Sequence, residues 1–221
     1  MFMISRTLLT ISLTLFAGLL SAQTTFNYNT NAPANWSAIG APVVGDIVNL
    51  SADLTSGRTI TMNPAGTVGT LLMEDTVTST GSVFGWTIAG TAAQTLTFDN
   101  TGATAATITV RNNTNATTGL VGGNMLISAP IVLADDLIVN VADLGSLLTV
   151  SGTINGGGKT LSILGLGGAT IGTGAITNLA GITIGAVHRA TTISGSNTRT
   201  GSGEGYALQV ATSLQSLIRE Q

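Results

Sequence analysis

Residues Asn124 to Ile184 read NMLISAPIVLADDLIVNVADLGSLLTVSGTINGGGKTLSILGLGGATIGTGAITNLAGITI. Six short runs recur in this stretch. MLIS starts at Met125, LIVN at Leu137, LTVS at Leu148, LSIL at Leu161, ATIG at Ala169 and GITI at Gly181, so the starts are 8 to 13 residues apart. Gly, Asn, Asp or Ser stands between the runs. Short β-branched and aliphatic runs punctuated by turn residues mark strands with one buried face. The pattern describes a repetitive β architecture and no reaction.

The same texture extends upstream. Between Gly45 and Met73 the runs GDIVNLSADLT, RTITM and VGTLLM are broken by Ser56-Gly57 and Asn63-Pro64-Ala65-Gly66. Pro64 has no N–H to give to a ladder and belongs in the turn. Phe84 to Arg111 supplies FGWTIAG, AQTLTFDN and AATITVRN, with a turn at Asp99-Asn100-Thr101-Gly102. Residues 112–123 (NNTNATTGLVGG) are polar and low in complexity and read as a loop. Downstream, residues 195–205 (GSNTRTGSGEG) read as a flexible linker. Residues 206–221 (YALQVATSLQSLIREQ) place Ala207, Val210, Ala211, Leu214, Leu217 and Ile218 on one face at helical spacing, which predicts a short amphipathic helix.

At 221 residues the chain is long enough for one β domain or one solenoid. Charged residues make up 8% and aromatic residues 4%, and there are 29 Gly. The abundance of Val, Ile and Thr argues against disorder. No apolar run after residue 22 approaches the ~20 residues a spanning helix needs. With no Cys, disulfides, thiolate metal sites and Cys nucleophiles are excluded.

Residues 1–22 read as a signal peptide. Arg6 supplies the positive start, Leu8 to Leu20 the apolar centre, and Ser21-Ala22 the small residues before a cut at Gln23. Arg6 is the only charge there. Its removal leaves six of the 7 basic residues against 10 acidic ones, a formal charge of −4. An acidic chain with scattered Lys and Arg lacks the electrostatic footprint of a nucleic-acid binder. Residues 23–44 carry Phe26, Tyr28 and Trp36 and read as an N-terminal cap over an otherwise open solenoid end. Residues 45–194 are then the β-helix repeats.

A β-sandwich also has strands at this spacing. The aromatic-free stretch from Asn124 to Val187 favours a parallel β-helix, whose Gly-punctuated coils stack about 4.8 Å apart. At ~20 to 25 residues per coil, the chain after residue 22 makes about eight or nine coils.

The block from Asn35 to Gly185 resembles the bacterial autotransporter-associated β-strand repeat proteins, large secreted or surface proteins that often carry a PEP-CTERM sorting signal. DDLIVNVADLGSLLTVSGTINGGGKTLSILG carries the resemblance best: a strand, a turn, L-x-V-S-G-x-I, a Gly-rich turn and a strand. The resemblance implies a right-handed parallel β-helix passenger outside the cell or on its surface, with no defined catalytic residues. Members are usually longer and end in a translocating barrel or a sorting helix. Residues 206–221 are too polar for such a helix, so the chain is expected to be the N-terminal part of such a protein or a truncated copy.

Chemistry-bearing residues are few. His188 is the only histidine, so a His-based metal cluster is excluded. No G-x-S-x-G nucleophile elbow occurs. Gly156-Gly157-Gly158-Lys159-Thr160 is similar to a phosphate loop, but Thr153 stands where that motif needs Gly and a strand-like run follows. Carboxylates pair at Glu74-Asp75 and Asp135-Asp136, with Asp143 nearby. Neighbours in a strand point to opposite faces, so adjacency does not make them converge. Asp136 and Asp143 meet only if the coils align them. Thr-x-Thr elements occur at Thr59, Thr95 and Thr107. Regular Thr rows order water and bind ice, but spacings of 36 and 12 residues are too irregular.

The expected function is a secreted or cell-surface structural or adhesive β-helix, an adhesin or outer-membrane-associated scaffold without catalysis, cofactor or metal. Its expected partners are extracellular polysaccharide or a surface protein. There is no membrane span in the mature chain, and the place is periplasmic if the C-terminal secretion module is missing. One alternative is a carbohydrate-binding or carbohydrate-active β-helix, for which Trp36 and Trp86 are the only indoles. Another is a passenger fragment with no independent function.

Overall fold

Alternating residues dictate the architecture. In run after run, every second side chain is apolar and fully buried while its neighbours face solvent, and one-sided strands of this kind must stack their apolar faces on something. Here the strands pair edge to edge with the equivalent strands of neighbouring coils, and the apolar faces of three sheets enclose one shared core. A computed structural model describes residues 22–28, 34–35, 42–76, 84–112, 124–185, 191–194, 197–198 and 208–210.

The first coil contributes β1 (Thr25–Tyr28) and β2 (Ala34–Asn35). The second has β3 (Ile47–Ala52), β4 (Arg58–Thr61) and β5 (Gly66–Val68). The third has β6 (Thr70–Asp75), β7 (Trp86–Ala89) and β8 (Leu96–Phe98). The fourth has β9 (Ala106–Asn112), β10 (Asn124–Ile127) and β11 (Ile131–Leu133). The fifth has β12 (Leu137–Val141), β13 (Leu147–Val150) and β14 (Ile154–Asn155), and the sixth β15 (Thr160–Gly165), β16 (Gly168–Ile171) and β17 (Ile176–Thr177). The seventh has β18 (Gly181–Ile184), β19 (Thr191–Ile193) and β20 (Asn197–Thr198), and β21 (Leu208–Val210) opens an eighth.

Every coil repeats the same itinerary across three all-parallel sheets. Sheet A runs β1-β3-β6-β9-β12-β15-β18-β21, sheet B β2-β4-β7-β10-β13-β16-β19, and sheet C β5-β8-β11-β14-β17-β20. The chain is therefore an all-β parallel β-helix, and the sandwich alternative is set aside. The eight strands of sheet A meet the expected coil number. The first coil steps are 22 and 23 residues. The step from Thr70 to Thr107 is 37. Register steps grow from 23 at Ile47–Thr70 to 28 at Arg58–Trp86, 30 at Gly66–Leu96 and 37 at Thr70–Thr107. Length is therefore added where sheet A turns into sheet B, the corner that holds residues 77–83, and still more where sheet C returns to sheet A. Residues 113–123 are inserted where sheet A turns into sheet B one coil later.

Inside, side chains form continuous rows along the solenoid. Val48, Leu71, Ile108, Val139 and Ile163 stack in register and are all buried. The largest buried side chains, Trp86 and Phe98, lie in the third coil. From Asn124 onward the core is aliphatic, so close backbone stacking rather than aromatic bulk fills it. The L-x-V-S-G-x-I motif is one coil read through a corner. Leu148 and Val150 point in from sheet B, Gly152 turns the corner, and Ile154 points in from sheet C. A Cβ at Gly152 would collide with the carbonyl oxygen of Ala129 in the preceding coil. Gly157 and Gly158, both with positive φ, then return the chain to sheet A.

The segment read as a cap already holds strands, since β1 pairs with β3 and β2 with β4. Trp36 lies outside the described residues. Within the expected linker, β20 continues sheet C. Within the expected C-terminal helix, Leu208–Val210 are strand on β18 rather than helix, and the rest of that segment lies outside the described residues. So do residues 1–21, the loop 113–123 and His188. Among the described residues there is no helix long and apolar enough to cross a membrane.

Candidate functional site

The carboxylates separate as strand geometry requires. Glu74 and Asp75 are consecutive on β6, so Asp75 is fully buried and Glu74 faces out. Asp75 accepts hydrogen bonds from the backbone N–H groups of Leu54 (2.9 Å) and Phe84 (3.3 Å). It ties together two turns of chain at the corner between sheets A and B. Burial raises its pKa, the two hydrogen bonds lower it, and the charge of Asp53 adds a smaller upward push. Glu74 accepts from the hydroxyl of Ser51 at 3.0 Å and sits in register between Ser51 and Arg111.

A second group gathers where sheet C turns into sheet A. Asp99, Asp135 and Lys159 come from successive coils. Asp135 accepts a hydrogen bond from the Asn100 N–H at 2.8 Å and lies 3.9 Å from the Lys159 ammonium. Asp136 accepts from the Thr160 N–H at 2.8 Å, which holds its carboxyl below the ordinary range. Burial raises the pKa of Asp99, as do the charge and contact of Asp135, and Lys159 opposes them. Asp135, Asp136 and Lys159 line a surface hollow of about 220 Å³ with Ala103, Thr104 and Ala105. Asp143 does not join them. It follows the far end of β12, five residues of strand away, so coil stacking separates it from Asp136.

This corner works as turn architecture. Asp99 and Asp135 touch across one coil step, whereas carboxylates that share a glycosidic bond stand about 5 to 9.5 Å apart, with room for sugar or water between. The carboxylates of Asp135 and Asp136 are taken up by backbone N–H groups of adjacent coils. The half-exposed Lys159–Asp135 pair adds little to stability. Gly156 to Thr160 forms the turn into β15, a strand, so no helix N-terminus faces the loop as a phosphate site requires. Among the described residues no three His, Asp or Glu side chains are gathered to hold a metal ion. Trp86 is buried and donates its indole N–H to the Glu74 carbonyl at 2.8 Å, so its ring is not a sugar platform.

The outward positions of sheet B form a different kind of surface. Thr59, Thr87, Leu126, Thr149, Thr170 and Thr192 stand in one row along the solenoid, one per coil. On this face the outward positions of the described strands carry no charge. They are Thr59, Thr61, Thr87, Ala89, Asn124, Leu126, Leu147, Thr149, Gly168, Thr170 and Thr192. The Thr149 hydroxyl donates to the Asn124 side chain at 3.0 Å, linking two coils. Sheet A is mixed by comparison, with Ile47, Ile138, Leu72, Glu74 and Arg111 among its outward residues.

The Thr-x-Thr elements do not make this row. Thr59-Ile60-Thr61 lies on sheet B, Thr95-Leu96-Thr97 runs into sheet C, and Thr107-Ile108-Thr109 lies on sheet A. They fall on three faces, so they form no array. Only Thr59 of them joins the row that does exist, whose other members, Thr87, Leu126, Thr149, Thr170 and Thr192, stand in unlike sequence contexts. Their separation varies with the loops, and only the strand register reveals the alignment. Comparison of the chain with protein-family models, curated proteins and solved structures finds no match.

Proposed function

We propose that this chain is an exported, non-catalytic β-helix that holds extracellular polysaccharide against the neutral outer face of sheet B. The observation that carries the reading is the charge-free row of Thr59, Thr87, Thr149, Thr170 and Thr192, spaced by coils about 4.8 Å apart and interrupted in the fourth coil by Leu126. A Thr hydroxyl offers one donor and two acceptors, and its methyl group offers apolar contact. A column of such groups matches a neutral chain of sugar rings, which also presents hydroxyls and C–H faces at regular intervals. The signal-like N-terminus and the resemblance to autotransporter-associated repeat proteins support a place outside the cell or on its surface. The engagement of Asp75, Asp135 and Asp136 by backbone N–H groups supports the absence of catalysis.

The test is binding of the chain to a broad array of neutral and acidic polysaccharides, with new reducing ends assayed in the same wells. Saturable binding to neutral polysaccharide without new reducing ends is the expected result. Release of reducing ends would overturn the non-catalytic reading and direct attention to Asp99, Asp135, Asp136 and Lys159. Binding confined to acidic polysaccharide would overturn the assignment to sheet B.

A further inference from the structure

The outward row of sheet B has a direction and a period, and both limit what fits on it. Thr59, Thr87, Leu126, Thr149, Thr170 and Thr192 follow one another by register from the second coil to the seventh. Five coil steps of about 4.8 Å make a track of about 24 Å along the solenoid. Across the track the face is narrow. The strands β4, β7, β10, β13, β16 and β19 have three or four residues each. A ligand laid along one strand therefore meets about 13 Å of sheet or less before the chain turns. A long polymer finds continuous contact only along the solenoid axis. The track is also held in place from within. Ile60, Ile88, Ile127, Val150 and Ile171 form a buried row beside it, and the ladder fixes their spacing. A preformed track saves the ordering cost that a flexible surface meets on binding.

The period selects the linkage. In an extended β-1,4-linked glycan the rings form a flat two-fold ribbon, and each sugar advances the chain by close to one coil step. Chains linked α-1,4 or β-1,3 curl into helices and leave a straight track after a few sugars. The ribbon turns over at every sugar, so one edge offers hydroxyls and C–H groups by turns. Thr answers both, because its Cβ carries a hydroxyl and a methyl group. Leu126 offers apolar contact alone, which suits a C–H edge. We propose that the ligand of sheet B is an extended, neutral β-1,4-linked glycan that lies parallel to the solenoid axis, one sugar per coil, from Thr59 to Thr192. This inference rests on the polysaccharide reading and adds to it a linkage, a direction and a length.

The test titrates the full chain with β-1,4-linked oligosaccharides of glucose, mannose, xylose and N-acetylglucosamine, from two to eight sugars long. Glucose oligosaccharides linked α-1,4 and β-1,3 serve as controls of equal length. In at least one β-1,4 series affinity is expected to rise about two- to fivefold with each sugar, the worth of a net hydrogen bond or less. The rise is expected to level off at about six sugars, one per coil of the track. The control linkages are expected to bind on the order of tenfold more weakly at that length. Equal affinity among linkages, or a plateau at two or three sugars, would overturn the axial track and leave a polysaccharide binder. Binding of neutral polysaccharide but of no β-1,4 series would do the same. Failure of every neutral glycan, as oligosaccharide and as polymer, would overturn the polysaccharide reading itself. Two variants, checked for unchanged melting, locate the track. Thr192→Lys, at its end, is expected to shorten the plateau by about one sugar, and Thr149→Lys, in its middle, to remove the gain beyond about three. Equal losses in the two would contradict the direction proposed.

Discussion

Trp86 shows how one residue in this chain serves both packing and backbone satisfaction. Its ring is buried in the third coil and its indole N–H satisfies the Glu74 carbonyl. Trp86→Ala is expected to cost about 3 to 5 kcal/mol, because it leaves a large cavity between coils that cannot collapse without breaking the ladder. Urea unfolding followed by circular dichroism measures it, and a cost below ~1 kcal/mol would contradict the packing described. Asp75 predicts a pH effect. Its folded-state pKa is raised from the ordinary 3.8, with burial as the main cause. The native state thus holds this proton more tightly than the unfolded chain. The corresponding stability is full below 3.8 and is lost as pH rises through the raised value. Asp136 has the opposite sign, because its lowered pKa gives stability that is present above 3.8 and lost as pH falls. Subtracting the stability–pH profile of Asp75→Asn from that of the unmodified chain should therefore leave a decline towards neutral pH. A flat difference would contradict the burial assigned to Asp75.

At the scale of the element, the coil corner decides what a residue must be. Gly152→Ala drives a methyl group into the Ala129 carbonyl of the preceding coil, with an expected cost of about 1 to 3 kcal/mol. Gly181 begins β18, where a Cβ would meet only Thr160 Cγ2 at 4.0 Å. Gly181→Ala should stabilise by about 0.5 to 1 kcal/mol, since glycine weakens a strand. Thermal melts of the two variants should move in opposite directions, and a shared direction would contradict the corner geometry. The same geometry explains what the sequence reveals. The six runs from Met125 to Gly181 are the strands of sheets A and B, each long enough to show its alternation. The intervening strands of sheet C, such as Ile154–Asn155 and Ile176–Thr177, are two residues long. They read as turn, because two residues carry no period. Asp143 seemed a neighbour of Asp136 in sequence, yet β12 holds them at opposite ends of a strand.

For the whole molecule, unequal coils carry an equal cross-section. Insertions such as residues 77–83 and 113–123 lengthen a coil without disturbing its register, since Thr107 still stands beside Thr70. This is why the Thr row of sheet B could not be read from spacing, although each strand in it could. The central claim is that this row is the working surface. The most direct measurement compares polysaccharide binding by two variants of equal charge, both checked for unchanged melting. One is Thr87→Lys/Thr170→Lys on the outer face of sheet B, and the other is Thr97→Lys/Thr177→Lys on sheet C. The account predicts that lysines on sheet B abolish binding to neutral polysaccharide while those on sheet C leave it intact. Equal binding by the two variants would contradict it.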